Sequence, residues 1–236
     1  MPSDCKYIDP NDRWDSPGYI EDFFDYNSGD MWTSLAADGG SSVACTAAVS
    51  GGILLLTAGG TDNDECSVST TNTVYKPAAN KPGVCKLRAQ VADADSLAAN
   101  VALGFSSIFT ADFITDNGAA LAADFSGAVF FKKDGDTYWS VAVSNGTTQT
   151  ITRTNIVASN ANYHDFEIRI MPVSSTQFEV TYFYDGQQAR DANGDTIKHT
   201  ALLASIAAMK VGMYLKEGGA TGQTANLDTA AWILKR

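Results

Sequence analysis

Asp165, Glu167 and Arg169 alternate along the stretch YHDFEIRIMPVSSTQFEVTYFYDG, Tyr163 to Gly186, and are the first residues whose types could do chemistry. Acid–base cleavage of a glycosidic bond needs two carboxyls on one face, about 5–5.5 Å apart for retention or about 6.5–9.5 Å for inversion. A period of two does put Asp165 and Glu167 on one face. Arg169 follows them there, and Phe166, Ile168 and Ile170 line the other face. That pattern predicts the solvated outer face of a strand rather than an acid pair. No serine carries a GxSxG surround and no GxxxxGK[ST] loop cradles a phosphate. His164 begins a strand and His199 falls in a polar loop, so both read as structural or surface groups. No catalytic residue is assigned, and the chain reads as a non-enzyme.

Metal chemistry has two openings. Asp191-Ala192-Asn193-Gly194-Asp195 offers oxygens at alternate positions, as calcium loops do, but lacks the later glutamate and the properly placed glycine. Asp62, Asp64 and Glu65 form the second cluster. Asn, Asp and Gly are also ordinary turn formers, so both read as turns, and no metal or cofactor is expected. Of the four cysteines, Cys45, Cys66 and Cys85 alternate with Val, Ala and Leu and are expected on the apolar sides of their strands as reduced thiols. No CxxC accompanies them or Cys5, which argues against zinc.

Sugar binding would use exposed aromatic rings beside polar side chains. Trp139 and Tyr182 are the candidates for stacking, with Tyr138 beside them. Phe183 falls on the polar face of its strand and is a candidate interface residue, because exposed apolar surface marks interfaces. Tyr7 and Trp14 join it as candidates in the N-terminal stretch.

These residues must be positioned by strands. In the organising hairpin, Phe166, Ile168 and Ile170 face one way, and across the Pro172–Thr176 loop Phe178, Val180, Tyr182 and Tyr184 do the same. Asp134-Gly135-Asp136 and Asn145-Gly146 turn a meander of Ala128–Lys132, Tyr138–Val143 and Thr148–Arg153. Earlier come Tyr19–Tyr26, Ser41–Val49, Ile53–Thr57, Glu65–Ser69 and Val84–Val91; Ser50-Gly51-Gly52 marks a hairpin between the second and third. Val101–Phe105 reads as a strand, Ser107–Ile114 as a short helix or loop, and Leu202–Met209 as a helical turn or two. Lys210–Leu215 and Asn226–Leu234 close the chain. About a dozen short strands with regular turns define an all-β antiparallel two-sheet sandwich. Residues 1–18, polar and with three prolines, read as an extended arm ahead of one domain, 19–236.

A hydrophobic share of 44% supplies a core and argues against disorder of the whole. The net charge of −11 repels phosphate backbones and anionic lipid heads, so neither nucleic acid nor membrane is an expected partner. No apolar run is long enough to cross a bilayer. The start MPSDCKYIDPNDRWD has no basic end or apolar run, which predicts synthesis in a cytosol rather than secretion.

In order, DFFDYN, GGILLLTAGGTDNDECSVSTTNTVY, SGAVFFKKDGDTYWSVAVSNGT, YHDFEIRI with EVTYFYDG, and LDTAAWILKR resemble the concanavalin A-like (laminin-G-like) jelly roll from about residue 19 to 236. The resemblance implies two stacked sheets, the concave one a surface for ligands. TDNDE–STTN, SGAVFFK–DG–W and SNGTTQT are also similar to segments of tailed-bacteriophage structural proteins. That likeness implies a capsid decoration or cement protein, made in the bacterial host cytoplasm and carried on the virion surface. Its expected partners are the major capsid protein and copies of itself, as a homotrimer. The alternative is a carbohydrate-binding, lectin-like module on a phage fibre or tail. A divergent glycosidase is a third reading, weakened by the missing acid array.

Overall fold

The computed structural model describes residues 18–24, 26–46, 52–92, 98–116, 120–158 and 161–234. Tyr7, Trp14, Cys5 and the expected arm apart from Gly18 lie outside them. The chain opens with β1 (Gly18–Glu21), β2 (Trp32–Ala36), β3 (Ser42–Cys45), β4 (Leu54–Thr57) and β5 (Glu65–Thr70). It continues with β6 (Gly83–Ala92), β7 (Asn100–Ser106), β8 (Ser126–Lys132), β9 (Tyr138–Asn145) and β10 (Gln149–Val157). Last come β11 (His164–Pro172), β12 (Gln177–Tyr184), β13 (Gln187–Gln188), β14 (Lys198–Leu202), β15 (Lys210–Lys216) and β16 (Thr224–Leu234).

These strands make a two-sheet sandwich in which neighbouring strands pair antiparallel. One sheet runs β13-β12-β11-β6-β16-β4-β3, with β1 on β16 and β14 on β12; the other runs β10-β9-β8-β7-β15-β5-β2. The period-two faces meet between them. Phe166, Ile168, Val180 and Tyr182 of the nine-stranded sheet pack with Val101, Leu103, Phe130, Trp139 and Met213 of the seven-stranded one. In β16 the period slips once: Ala225 and Leu227 face inward, then Ala230 and Trp232, because a bulge at Asp228 adds one residue against β6. The displaced Asp228 turns outward to Arg88, 2.7 Å away.

Several expectations need correcting. Of the two forms read for Ser107–Ile114 the structure shows the loop, and 203–209 is an irregular link where a helical turn or two was expected. Strands β2, β13 and β14 were not legible in the sequence, the last because its apolar side consists only of His199 and Ala201. Cys66 and Cys85 are buried, and burial pushes the Cys66 thiol up to about 12, so it stays protonated. Cys45 is instead exposed, at the end of edge strand β3, its thiol donating to the Phe23 carbonyl at 3.2 Å. Alternation identifies a face, but an edge strand's face need not be covered.

His199 is a core residue, not a loop one. The Tyr182 hydroxyl donates to the Ala142 carbonyl at 2.9 Å, so it accepts from His199 Nδ1 at 3.1 Å. Thr152 Oγ1 then donates to Nε2 at 2.9 Å, and the ring is neutral. Burial lowers its pKa from 6.5 to about 4. The unfolded chain takes up this proton first, so the stability it contributes is complete above pH 6.5 and lost as pH falls toward 4. The loss comes to about 2 kcal/mol, the ring's remaining solvent contact screening the rest. Denaturant midpoints for wild type and His199→Gln should therefore converge as pH falls across that window; parallel curves would rule His199 out.

Candidate functional site

The outer face of the nine-stranded sheet is a lattice of ion pairs. Asp165 pairs with Lys86 at 2.8 Å, Glu179 with Lys198 at 3.1 Å, and Glu167 with Arg169. Glu167 is buried rather than solvated, but beneath its own strand's arginine. The carboxyls on this face hold cations of the same sheet, which is structural work. Asp191 Oδ1 caps its turn by accepting the Asn193 and Asp195 amides at 2.9 and 3.0 Å. Asp64 closes another turn through the Thr61 amide at 3.0 Å. No cluster of three His, Cys, Asp or Glu among the described residues is placed to hold a metal ion.

Trp139 and Tyr182 do not present ring faces to solvent. Trp139 is 2% exposed, edge-on to Phe166 at 4.9 Å, and Tyr182 is fully buried against Phe130 and His199. Both point inward because they share the period of the core residues around them. Phe183 does face outward, half-buried, with the Arg169 guanidinium 4.1 Å above its ring.

The seven-stranded sheet has its outer face largely closed by the chain itself. Loop 107–125 lays Phe109, Phe113, Ile114, Leu121 and Phe125 over Ala102, Val129, Phe131, Ala142 and Tyr214. Ser67 Oγ donates to the Phe109 carbonyl at 2.9 Å and Gln149 Nε2 to that of Ala122 at 2.6 Å. At the rim Lys216, 1% exposed, points from β15 into the loop. Its ammonium donates to Asp112 Oδ1 at 2.8 Å, Asp116 Oδ1 at 2.6 Å and the Ile114 carbonyl at 3.2 Å. Glu65, across the ladder from Lys216, accepts the Asp112 amide at 2.9 Å and the Tyr214 hydroxyl. Burial would lower the Lys216 pKa; hydrogen bonds to Asp112 and Asp116 and the charge of Glu65 outweigh it and hold the ammonium above its usual value. This cluster fastens a loop to a sheet.

Open space lies at the edge of the sandwich. A cleft of about 850 Å³ runs between β1, the end of β16 and loop 71–82. Tyr19 packs against Trp232 along one wall, ring centroids 4.7 Å apart and the planes tilted by 30°. Glu21 fixes that wall, accepting the Tyr19 hydroxyl at 2.6 Å and the Trp32 indole at 3.2 Å. Burial, followed by the Glu21 hydrogen bond and nearby negative charge, raises the Tyr19 phenol to about 12, so it remains a donor. Thr70, Asn72, Lys76, Lys81 and Asp30 bring polar groups to the same space. None of these was singled out from the sequence. Tyr19 meets Trp232 through the β1–β16 pairing, which joins the first described residues to the last, and Asp30 reaches Thr70 through the β2–β5 ladder.

No protein family and no curated protein sequence matches the chain. Solved structures do. The peanut lectin is similar at a TM-score of 0.57 and 12% identity, over 94% of this chain and 98% of that one. A legume lectin-like domain from Entamoeba histolytica scores 0.57 at 7% identity, over 86% and 89%. The Emp47p carbohydrate recognition domain scores 0.55 at 6% identity, over 93% and 95%. The chain has the concanavalin A-like lectin fold.

Proposed function

We propose that the chain is a non-enzymatic carbohydrate-binding module whose ligand occupies the cleft beside Tyr19. The observation that carries this reading is the cleft's make-up: a half-buried aromatic ring held by Glu21, with amide, hydroxyl and ammonium groups around it. Saccharides present apolar CH faces and dense hydroxyls, which such a lining matches. The fold is shared with proteins described as lectins and carbohydrate recognition domains, which adds support. Screening the whole chain against neutral, carboxylated and sulfated glycans should give retention by at least one class. Asn72→Ala should weaken that binding about tenfold, by removal of one hydrogen-bonding partner of the ligand. Retention of no glycan would sink the reading.

A second reading is favoured by exposed apolar surface beside the cleft. Phe23 adopts φ +55°, rare for a bulky side chain, with its amide held by Glu21 Oε1 at 3.0 Å. Its ring is buried, while Phe24 is 76% exposed, and Ile20 and Met31, close by in sequence, are exposed as well. Such a patch suits a protein partner: a second copy within a trimer, or a major capsid protein if the chain decorates a virion made in a bacterial cytoplasm. Tyr7, Trp14 and Phe183 would be further contacts. Quantitative mass spectrometry of purified particles would find it stoichiometric with the capsid protein; absence would end that reading.

A further inference from the structure

The cleft carries two cations that pair with no described carboxylate. Lys76 and Lys81 are exposed, line the cleft, and make no ion pair with a described acidic side chain. Elsewhere on this acidic chain, Lys86, Lys198 and Lys216 each hold a carboxylate. The loop bearing the pair is firmly held. Tyr75 is buried against Phe105 at 5.2 Å, and its hydroxyl donates to the Lys81 carbonyl at 2.8 Å. The Lys81 amide closes a turn on the Ala78 carbonyl at 3.0 Å, and the Tyr75 amide bonds Met209 at 3.2 Å. A side chain at Gly83 would meet the Tyr75 ring at 2.6 Å, so the absent Cβ lets that ring seat beneath the loop. Buried Tyr75 thus fixes the backbone at both lysines.

We infer that the cleft selects anionic saccharides, sugars bearing a carboxylate or a sulfate. This rests on the glycan reading above and deepens it. Two ammonium groups on a pinned loop supply charge-assisted hydrogen bonds to an anionic group, while Tyr19 offers a ring face and Asn72 an amide for the sugar itself. The chain's net charge of −11 favours a short acidic segment over an extended polyanion. Asp30 at the same cleft repels an anion placed beside it, leaving the lysine side for the charge.

Titration calorimetry on the full chain with oligogalacturonate, sulfated dextran oligosaccharide and neutral dextran oligosaccharide tests this. At least one acidic probe should bind about tenfold or more tighter than the neutral one at low salt, with the advantage shrinking as salt rises. The double variant Lys76→Gln/Lys81→Gln should lose that advantage and keep the wild-type melting temperature, since neither ammonium holds the fold. Which acidic probe wins separates carboxylate from sulfate. Equal binding of neutral and acidic probes, unchanged in the double variant, overturns anionic selection and leaves the glycan reading standing. No binding of any saccharide overturns both. Polyglutamate or inorganic phosphate binding as tightly as the acidic sugars overturns it too, since the cleft would then read charge alone.

Discussion

Replacing Phe166 by alanine should cost about 3–5 kcal/mol of unfolding free energy, with the denaturant slope unchanged. Phe166 lies on β11, between β12 and β6 in the nine-stranded sheet, and its ring crosses to the other one. Trp139 is edge-on to it at 4.9 Å and Phe130 at 5.3 Å, both from the seven-stranded sheet, with Tyr184 edge-on at 5.2 Å from its own. Removing the ring opens a cavity that rigid aromatic neighbours cannot close, and three edge-to-face contacts go with it. In a domain of this size the loss lowers the melting temperature by roughly 10 °C. Phe183→Ala is the control, since that half-buried ring lies on the outer face under Arg169 and its loss should cost about 1 kcal/mol. Equal costs at the two positions would mean that the inter-sheet ring cluster does not hold the sandwich together.

The same two phenylalanines show what the sequence could and could not convey. A period of two separates Phe166 from Glu167 and Phe183 from Tyr182, so faces were legible strand by strand, and with them the sandwich. β7 and β8 are buried along their whole length, and their runs NVALGFS and SGAVFFK show little alternation. Continuous apolar character is what a strand covered on both faces requires. The cover is the 107–125 segment, whose Phe109 and Phe113 stand four apart, a spacing as compatible with a helix as with a loop, and so give no signal of where they lie. Trp139 and Tyr182 are aromatics of the kind that suit sugar platforms, yet their period puts them with the core. The cleft was beyond reach for a different reason. Tyr19 and Trp232 pack together because β1 pairs with β16, and no local pattern encodes a pairing between segments so far apart in the chain.

That closed face bears on where a ligand can go. With loop 107–125 seated, the central outer surface of the seven-stranded sheet is a second apolar core rather than a platform. On the proposed reading, binding would move to the sandwich edge, where the cleft lies and where Ile20, Phe24 and Met31, close together in the chain, are exposed. Glycan binding and partner docking would then share one rim, and a ligand in the cleft would sit beside any protein held on the patch.

The loop's hold should be measurable at Lys216. Lys216→Met removes the ammonium that joins Asp112, Asp116 and the Ile114 carbonyl, and leaves Glu65 buried without its neighbouring positive charge. Asp112 and Asp116 are largely exposed and can turn to water, so the cost falls mainly on Glu65. About 3 kcal/mol at pH 7 is expected, the low end for breaking a buried pair. The penalty should depend on pH. Burial already raises the Glu65 pKa, against the hydrogen bonds from Tyr214 and the Asp112 amide and the charge of Lys216. Without Lys216 it rises further, and a carboxyl with a raised folded-state pKa regains stability as pH falls through that value. The gap between wild type and Lys216→Met should therefore be widest near neutrality and narrow in acid. Lys216→Met/Glu65→Gln, which removes both charges, should recover most of the loss at pH 7, because an apolar and a neutral side chain leave no buried charge unpaired. A double variant as unstable as the single one would place Lys216's contribution in its bonds to the loop aspartates rather than in neutralising Glu65, and the pH dependence would vanish with it.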